Sequence, residues 1–596
     1  MRSRKAAARQ RMFALGGVLL LGGIFGFRLV DLQVINAAQY VEAAKGKRAV
    51  DITVPALRGD IVDRKGQILA TTDERYDVQM SPKNTRIKNG AVQRFNSQTE
   101  ETETVPFEQV LAEIGAATGQ QPSEIKKIID DALAENPESD FAYVKRSVDL
   151  TTLNKLKELD IPWLTFSSVF NRTYPNGAVG GNLIGFVGSE NEPQAGIELA
   201  QDACLVGVDG SESYERSEDG VRLPGSTVVT EKAVNGGTVH LTIDRDLQWQ
   251  SQQIVNRTAS ETGAEWVMAV IMDVKTGELL AVAEDGSVDP NHVAGTPPER
   301  RDSRAFLAPY EPGSTFKTIT VATLLEEGVA TPLTQNLTPA RWNPEPNVSF
   351  GDATTHGEMQ WTLTGILVAS SNVGTAMLGT QVSPEKRYEY MQKFGFGVST
   401  QAGLAVEDSG LVAPPGDWDR QTVYNSTFGQ GLSATIVQTA GAYQAIANNG
   451  VRIPPTLVKK CVRPDGTEEV PAHGERVTVI SEKTAKELHR MLENVAVNLE
   501  NRGFLELPGY RVAGKTGTAE QSDGHGGYRS DYVNSFAGFF PAENPQYVVV
   551  TSIAFPQRDG TYKRLLGTWG ELASSVIKDY RVTPSNTPFE PYPEEY

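Results

Sequence analysis

A serine one helical turn ahead of a lysine, in Tyr310-Glu311-Pro312-Gly313-Ser314-Thr315-Phe316-Lys317, constrains this chain more than any other stretch. A serine hydroxyl is a poor nucleophile at neutral pH and needs a base within hydrogen-bond reach. Residues three apart on a helix share a face, so the tetrad predicts a helix that begins near Ser314, with Lys317 as base. Pro312-Gly313 turns the chain into it. Spacing alone proves little, since Ser123/Lys126, Ser383/Lys386 and Ser575/Lys578 repeat it. Order separates the copies. Ser383 and Ser575 lie beyond Ser370-Ser371-Asn372 and Ser123 lies far ahead of it, whereas Ser314 is followed closely by Ser370-Ser371-Asn372 and then by Lys515-Thr516-Gly517-Thr518. The other Lys-Thr-Gly, Lys275 to Gly277, precedes the serine and runs into Glu278, so it reads as a turn between two apolar strands.

The chain of 596 residues is long enough for two or more domains, and its 39% hydrophobic content is that of a globular protein. Charge is unevenly placed. Arg2, Arg4, Lys5, Arg9, Arg11 and Arg28 are unopposed by any acid in the first thirty residues, so the remainder is more acidic than the net charge of −18. An acidic body of that kind argues against a nucleic-acid partner. Met12 to Phe27 carries no charge. It spans roughly 24 Å as a helix, and continuing through Leu29 and Val30, with Arg28 snorkelling, reaches the ~30 Å of a hydrocarbon core. The basic residues before it place the N-terminus in the cytoplasm. An uncleaved anchor is favoured over a signal peptide cut near Ala37-Ala38, because no clear small-x-small site interrupts the apolar run. The only cysteines, Cys204 and Cys461, fall in different expected domains and are read as two buried free thiols. The histidines show no metal-ligand spacing, and no cofactor is implied.

Residues 1–11 are therefore expected as a cytoplasmic tail, 12–34 as the anchor and 35–235 as a mixed α/β region. Within that region, Asn84 to Thr104 reads as a mobile surface loop. Phe107 to Ala117, Ser123 to Ala134 and Leu153 to Leu159 read as helices, and Phe141 to Val144 as a strand. Residues 236–583 read as one domain. Its apolar strand runs are Val239 to Ile243, Trp266 to Met272, Glu278 to Ala283, Tyr510 to Thr518, Ser535 to Phe540 and Tyr547 to Ile553. Helices are expected at Ser314 to Glu327 and Gln438 to Asn448, with a closing one over Trp569 to Tyr580. That order predicts an α+β fold, one antiparallel sheet flanked by helices. Residues 584–596, rich in Pro and Glu, read as disordered.

The three motifs, in this order, resemble the penicillin-binding protein and serine β-lactamase superfamily. Arg58-Gly59-Asp60-Ile61-Val62-Asp63-Arg64-Lys65-Gly66, Arg172-Thr173-Tyr174-Pro175-Asn176 and Gly196-Ile197-Glu198-Leu199 are similar to the non-catalytic domain of class B penicillin-binding proteins. Thr427-Phe428-Gly429-Gln430-Gly431-Leu432 and Ala447-Asn448-Asn449-Gly450 resemble the segment between the second and third catalytic motifs. The likeness covers roughly residues 12 to 583 and is closest to septal, cell-division transpeptidases of an actinobacterial type. It implies a transpeptidase domain lifted from the membrane on a pedestal. The charged pedestal residues, Asp60 and Arg64 among them, are read as holding together a domain of limited core.

The resemblance also implies roles. Ser314 would be the nucleophile and Lys317 its base, with Lys515 supplying the like charge that lowers a lysine's pKa. Ser370 would relay a proton, and Asn372 would orient Lys317 and meet the substrate backbone. Thr516 and Thr518 would bind the terminal carboxylate of a D-alanyl-D-alanine stem, and Gly517 would let substrate approach the strand. The backbone N–H groups of Ser314 and Thr518 would form the oxyanion hole. The implied partners are peptidoglycan stem peptides, β-lactams, a membrane glycan polymerase and other septal proteins, at a plasma-membrane septum. Rival readings are an elongation-specific transpeptidase, a D,D-carboxypeptidase and a non-enzymatic division scaffold. A class A β-lactamase would need a Glu-x-x-Leu-Asn segment, and the sequence has none. A scaffold would be expected to lose a motif residue, and none is missing.

Overall fold

A computed structural model describes residues 2–39, 49–96, 101–188, 190–215, 226–472, 474–522 and 527–596. The chain forms two compact units, residues 2–57 with 206–236, and residues 58–205 with 237–596. The first contains a helix, Arg2–Val30, that runs on as a π-helical turn to Ile35. Its stretch Arg11–Ile35 is long and apolar enough to cross a membrane, and its side chains stand exposed. The same unit holds a three-stranded antiparallel sheet, Ala49–Val54, Gly210–Glu215 and Val228–Glu231.

In the second unit the long strand Ile68–Met80 pairs with both Ala142–Val148 and Leu164–Thr173. Helices Phe107–Thr118, Pro122–Glu135 and Leu150–Glu158 form where the periodicity placed them. They share a core with Val78, Met80, Val144 and Trp163. The expected loop at Asn84–Thr104 is instead a 3-10 segment to Gly90, followed by the paired strands Val92–Asn96 and Glu101–Val105. Residues 97–100 lie outside the described residues. Buried Val92 and Val105 pin that hairpin, a signal too sparse to show through its polar composition.

The compact units divide at 236/237, beside the expected boundary at 235/236, but residues 58–205 of the expected pedestal fall in the same unit as 237–596. Thr238–Leu241 pairs in parallel with Ile61–Val62 and antiparallel with Val458–Val462, in one sheet that continues through Ile68–Met80. This also overturns the reading of two free thiols. Val239 pairs with Cys461, Gly237 N–H donates to Cys204 O, and Cys204 and Cys461 form a disulfide. A Cβ at Gly237 would lie 2.9 Å from Val462 O and 3.2 Å from each sulfur, so glycine suits this close approach to the bridge.

The catalytic-type core is a five-stranded antiparallel sheet of β1 (Trp266–Asp273), β2 (Leu279–Glu284), β3 (Ala513–Ser522), β4 (Tyr528–Phe540) and β5 (Tyr547–Ala554), in the order β2-β1-β5-β4-β3. β5 and all but the ends of β1 are buried, which is why they read as unbroken apolar runs. Between β1 and β2, Asp273 Oδ1 accepts from the backbone N–H of Lys275 and of Thr276, which fixes the Lys275-Thr276-Gly277 turn. One face of the sheet carries α1 (Arg245–Thr262) and the closing helix Thr561–Tyr580. Asp244 caps α1. The other face carries α2 (Lys317–Glu326), α3 (Leu363–Ala369), α4 (Asn372–Gly379), α5 (Ile436–Ala447) and α6 (Glu482–Asn501). α5 is buried on every side against β1, β4 and β5, and a Thr435/Gln438 capping box starts it.

Residues 584–596 are not disordered. Arg490 stacks on Tyr592 and Arg511 on Phe589. Asn494 exchanges hydrogen bonds of 3.0 Å with the Tyr592 backbone, and Thr362 N–H donates to Glu594 O at 2.9 Å. Arginine stacking and backbone pairing hold a segment whose own composition predicts nothing of the kind.

Candidate active site

Gly313–Phe316 is a short 3-10 turn that leads directly into α2. In such a turn residues three apart eclipse, so Ser314 and Lys317 share a face as the tetrad predicts. Two close approaches fix the turn. Gly313 has φ +54°, and a Cβ there would lie 2.8 Å from Thr518 O. Gly313 N–H donates to Gly429 O at 3.0 Å, which locks the Thr427–Leu432 segment behind it. Behind the turn, the buried Tyr443 of α5 donates to Thr315 O at 2.9 Å.

The lysines of the first and third motifs converge on one serine. Lys317 is fully buried and donates to both Ser370 O and Ser370 Oγ, the latter at 3.3 Å. Lys515, equally buried, donates to Ser370 Oγ at 2.9 Å and also to Thr516 O and Oγ1. Burial, reinforced by the Lys515 charge, pushes Lys317 well below the usual amine range, while Asp352 acts in the opposite sense. Burial alone brings Lys515 down to about 7. The Ser314 hydroxyl, half-buried, has no hydrogen-bond partner among the described residues.

β3 is the edge of the sheet, so one side of its backbone has no strand partner among the described residues. Thr518 is exposed and its hydroxyl donates to Asn534 Oδ1 at 3.4 Å. Gly517 departs from expectation. A Cβ there would strike Ser535 Oγ and lie 2.9 Å from Pro312 O and 3.0 Å from Thr315 Cγ2. The glycine is needed for β3 to pack on the Ser314 turn. Asn372 also differs, because its amide donates to Gly351 O at 3.3 Å, with no bond to Lys317.

The other serine–lysine pairs have ordinary roles. Ser383 caps a helix while Lys386 pairs with Glu389, and Ser575 Oγ donates back to Glu571 O. Ser123 is exposed in the first turn of its helix. Sequence reasoning missed Asp352, which accepts from Ser371 Oγ at 2.6 Å and from Val373 N–H at 2.9 Å. It also missed the role of Glu311, whose carboxylate accepts from Gly431 N–H and Tyr528 OH. Burial pushes Glu311 up to about 7. Both are lone acids far in sequence from what they touch, and no spacing marks them.

Residues 267–565 match the penicillin-binding protein transpeptidase domain family, and residues 53–241 the penicillin-binding protein dimerisation domain family. The chain is 36% identical to penicillin-binding protein PbpB of Mycolicibacterium smegmatis, over 97% of this chain and 91% of that one. It is 29% identical to the peptidoglycan D,D-transpeptidase FtsI of Escherichia coli, over 96% and 92%. Among solved structures it resembles penicillin-binding protein 3 of Mycobacterium tuberculosis in complex with aztreonam. That match has a TM-score of 0.68 and 30% identity, over 90% of this chain and 99% of that one.

Proposed function

Because the chain belongs to the class B penicillin-binding proteins and is a peptidoglycan D,D-transpeptidase, we propose that Ser314 is its nucleophile and that Lys317, Ser370 and Lys515 move the proton. One observation carries this assignment: a single hydroxyl, Ser370 Oγ, lies within hydrogen-bond reach of two fully buried lysine amino groups. Two ammonium ions in that space repel, so at least one amine is neutral near neutral pH and able to accept a proton.

In the acylation step Ser314 Oγ forms a bond to the penultimate D-alanine carbonyl carbon as its proton passes to Lys317. The D-Ala–D-Ala amide C–N bond then breaks, and the leaving amine takes a proton through Ser370. In the second step the amine of a neighbouring stem attacks the ester carbonyl carbon, the bond from that acyl carbon to Ser314 Oγ breaks, and the proton lost by the amine returns to Oγ. The Ser314 and Thr518 N–H groups receive the oxyanion, and loss of one such donor costs about 2.7–4 kcal/mol of transition-state stabilisation. An extended stem adds to the open edge of β3, with the Thr516 and Thr518 hydroxyls on its terminal carboxylate. β-Lactams acylate Ser314 because they mimic this donor.

The remaining proposal concerns place. The Arg11–Ile35 helix anchors the chain in the plasma membrane with the N-terminus cytoplasmic and the catalytic domain outside, at the division septum. There it works with a glycan polymerase and other septal proteins. The likeness to FtsI and PbpB over nearly the whole chain supports this over elongation or carboxypeptidase use. Fluorescent penicillin should label the wild type and not Ser314→Ala, and peptide mapping should place the adduct on Ser314. An adduct on Ser123, Ser383 or Ser575 would sink the assignment. Depletion should block septation while wall growth continues; arrest of elongation instead would remove the division role alone.

A further inference from the structure

The second motif is held from behind by a turn that belongs to none of the three motifs. Strands Arg341–Glu345 and Val348–Gly351 form a hairpin, and Asp352 follows it with its N–H on Ala340 O at 3.0 Å. Gly351 O accepts from Asn372 Nδ2, Asp352 Oδ2 from Ser371 Oγ, and Asp352 Oδ1 from Val373 N–H. Three consecutive residues are thus tied to one turn. The residue just before them, Ser370, ends α3 in the left-handed region with φ +56° and ψ +38°. A serine keeps that conformation only where its surroundings hold it. Here it aims both Ser370 O and Ser370 Oγ at Lys317 while Oγ also meets Lys515.

His356 backs the carboxylate. Its Nε2 lies 2.9 Å from Asp352 Oδ2 and its Nδ1 2.6 Å from Gly357 O, with the ring against Trp361. Both ring nitrogens face oxygens that only accept, so the imidazolium satisfies both contacts and a neutral ring leaves one lone pair against an oxygen. Partial burial pulls the ring down, but its hydrogen bonds to Asp352 and Gly357 O outweigh that and raise its pKa.

We propose that Asp352, backed by His356, is a positioning residue that holds Ser370 between the two lysines and biases the proton on Lys317. The inference rests on Ser314, Lys317, Ser370 and Lys515 being the reaction centre. The charges acting on Lys317 are Lys515, which drives its proton off, and Asp352, which retains it. The charge acting on His356 is Asp352. Loss of the Asp352 charge therefore makes Lys317 easier to deprotonate. Loss of the His356 charge leaves Asp352 uncompensated and has the opposite effect.

The test is the pH profile of acylation of the full chain in detergent by a fluorescent penicillin. Asp352→Asn is expected to lower the plateau, on the order of 10²-fold if the hydroxyl moves by about 1 Å, and to shift the rising limb to lower pH. His356→Gln should shift that limb to higher pH. An unmoved limb in Asp352→Asn overturns the proposal even if the plateau falls, since a merely structural role would lower the rate without retitrating the base. If Asp352→Asn does not fold, His356→Gln decides: an unmoved limb there overturns the proposal equally. Mapping the wild-type adduct separates the two levels. An adduct away from Ser314 removes the underlying assignment, whereas one on Ser314 with unmoved limbs removes this inference alone.

Discussion

Replacing Glu198 by Gln asks whether buried charge holds the non-catalytic region together. Glu198 is 0% exposed, and its two oxygens take Arg58 Nε and Arg172 Nε at 2.7 Å each. The Tyr174 hydroxyl donates to it at 3.2 Å, and Arg58 also pairs with Asp202 at 2.5 Å. Arg172 reaches on to Gly59 O at 2.6 Å, so one carboxylate joins three segments distant in sequence. The cluster holds two cations and two anions, with the Arg172 side chain 1% exposed. Glutamine keeps the volume but leaves a net positive charge where water cannot screen it. Its NH2 must also face an arginine N–H, donor against donor.

Removing one partner of a buried pair costs about 3–5 kcal/mol, against roughly 5–15 kcal/mol for a whole domain. Glu198→Gln should therefore unfold at clearly lower urea, followed by proteolysis of the detergent-solubilised chain. Acylation by penicillin at moderate temperature should survive, because no cluster residue bonds to Ser314, Lys317, Ser370 or Lys515. Adding Arg172→Met should recover part of the loss, since an apolar replacement removes the stranded charge. A cost below about 1 kcal/mol, the level of an exposed pair, would refute the idea that this network holds the fold.

Lys317→Arg should retain charge and fold but lose acylation by roughly 10²-fold or more, because arginine does not deprotonate; a near-normal rate would show that the proton leaves elsewhere. Burial lowers Lys515 to about 7 in the fold, against about 10.4 for an ordinary lysine, so below 7 both states are charged and the cost of a buried ammonium is present in full. Between those values the unfolded chain holds more protons, and stability rises with pH by up to about 1.4 kcal/mol per unit. Lys515→Met should flatten part of that rise and gain stability at neutral pH, as read from melts across alkaline pH; an undiminished slope would contradict the burial argument. Gly517→Ala should cost about 1–3 kcal/mol by overpacking and slow acylation by displacing the Ser314 turn, while an unchanged melt would return the glycine to a substrate-contact role.

The lysine pair was legible because its residue types are restricted at fixed places. Lys317 and Lys515 meet at Ser370 Oγ, although all three lie far apart in the chain. The central strands were legible for a related reason. β1 and β5 are covered on both faces, and the sequence is apolar throughout their interiors. What escaped is what depends on a distant partner. Asp352 is a lone acid in a polar stretch until Ser371 and Val373 fold onto it. Cys204 and Cys461 look separate until Thr238–Leu241 carries one sheet across the expected boundary.

The final residues show why composition misleads here. Pro and Glu argue for disorder when a segment must bury its own side chains, but residues 584–596 are held largely through groups supplied by other elements. Thr362, the cap of α3, donates through N–H and hydroxyl to the backbone of Pro593 and Glu594. A Cβ at Gly365 would collide with Glu594 O, so the first turn of α3 is shaped to admit the strap. Trp361 bridges to Glu595 on the next step. The helix so covered is the one that ends in Ser370. The cost of ordering the tail is met by donors on α3 and α6 that the tail's own sequence does not contain, so no local reading of those thirteen positions would reveal it.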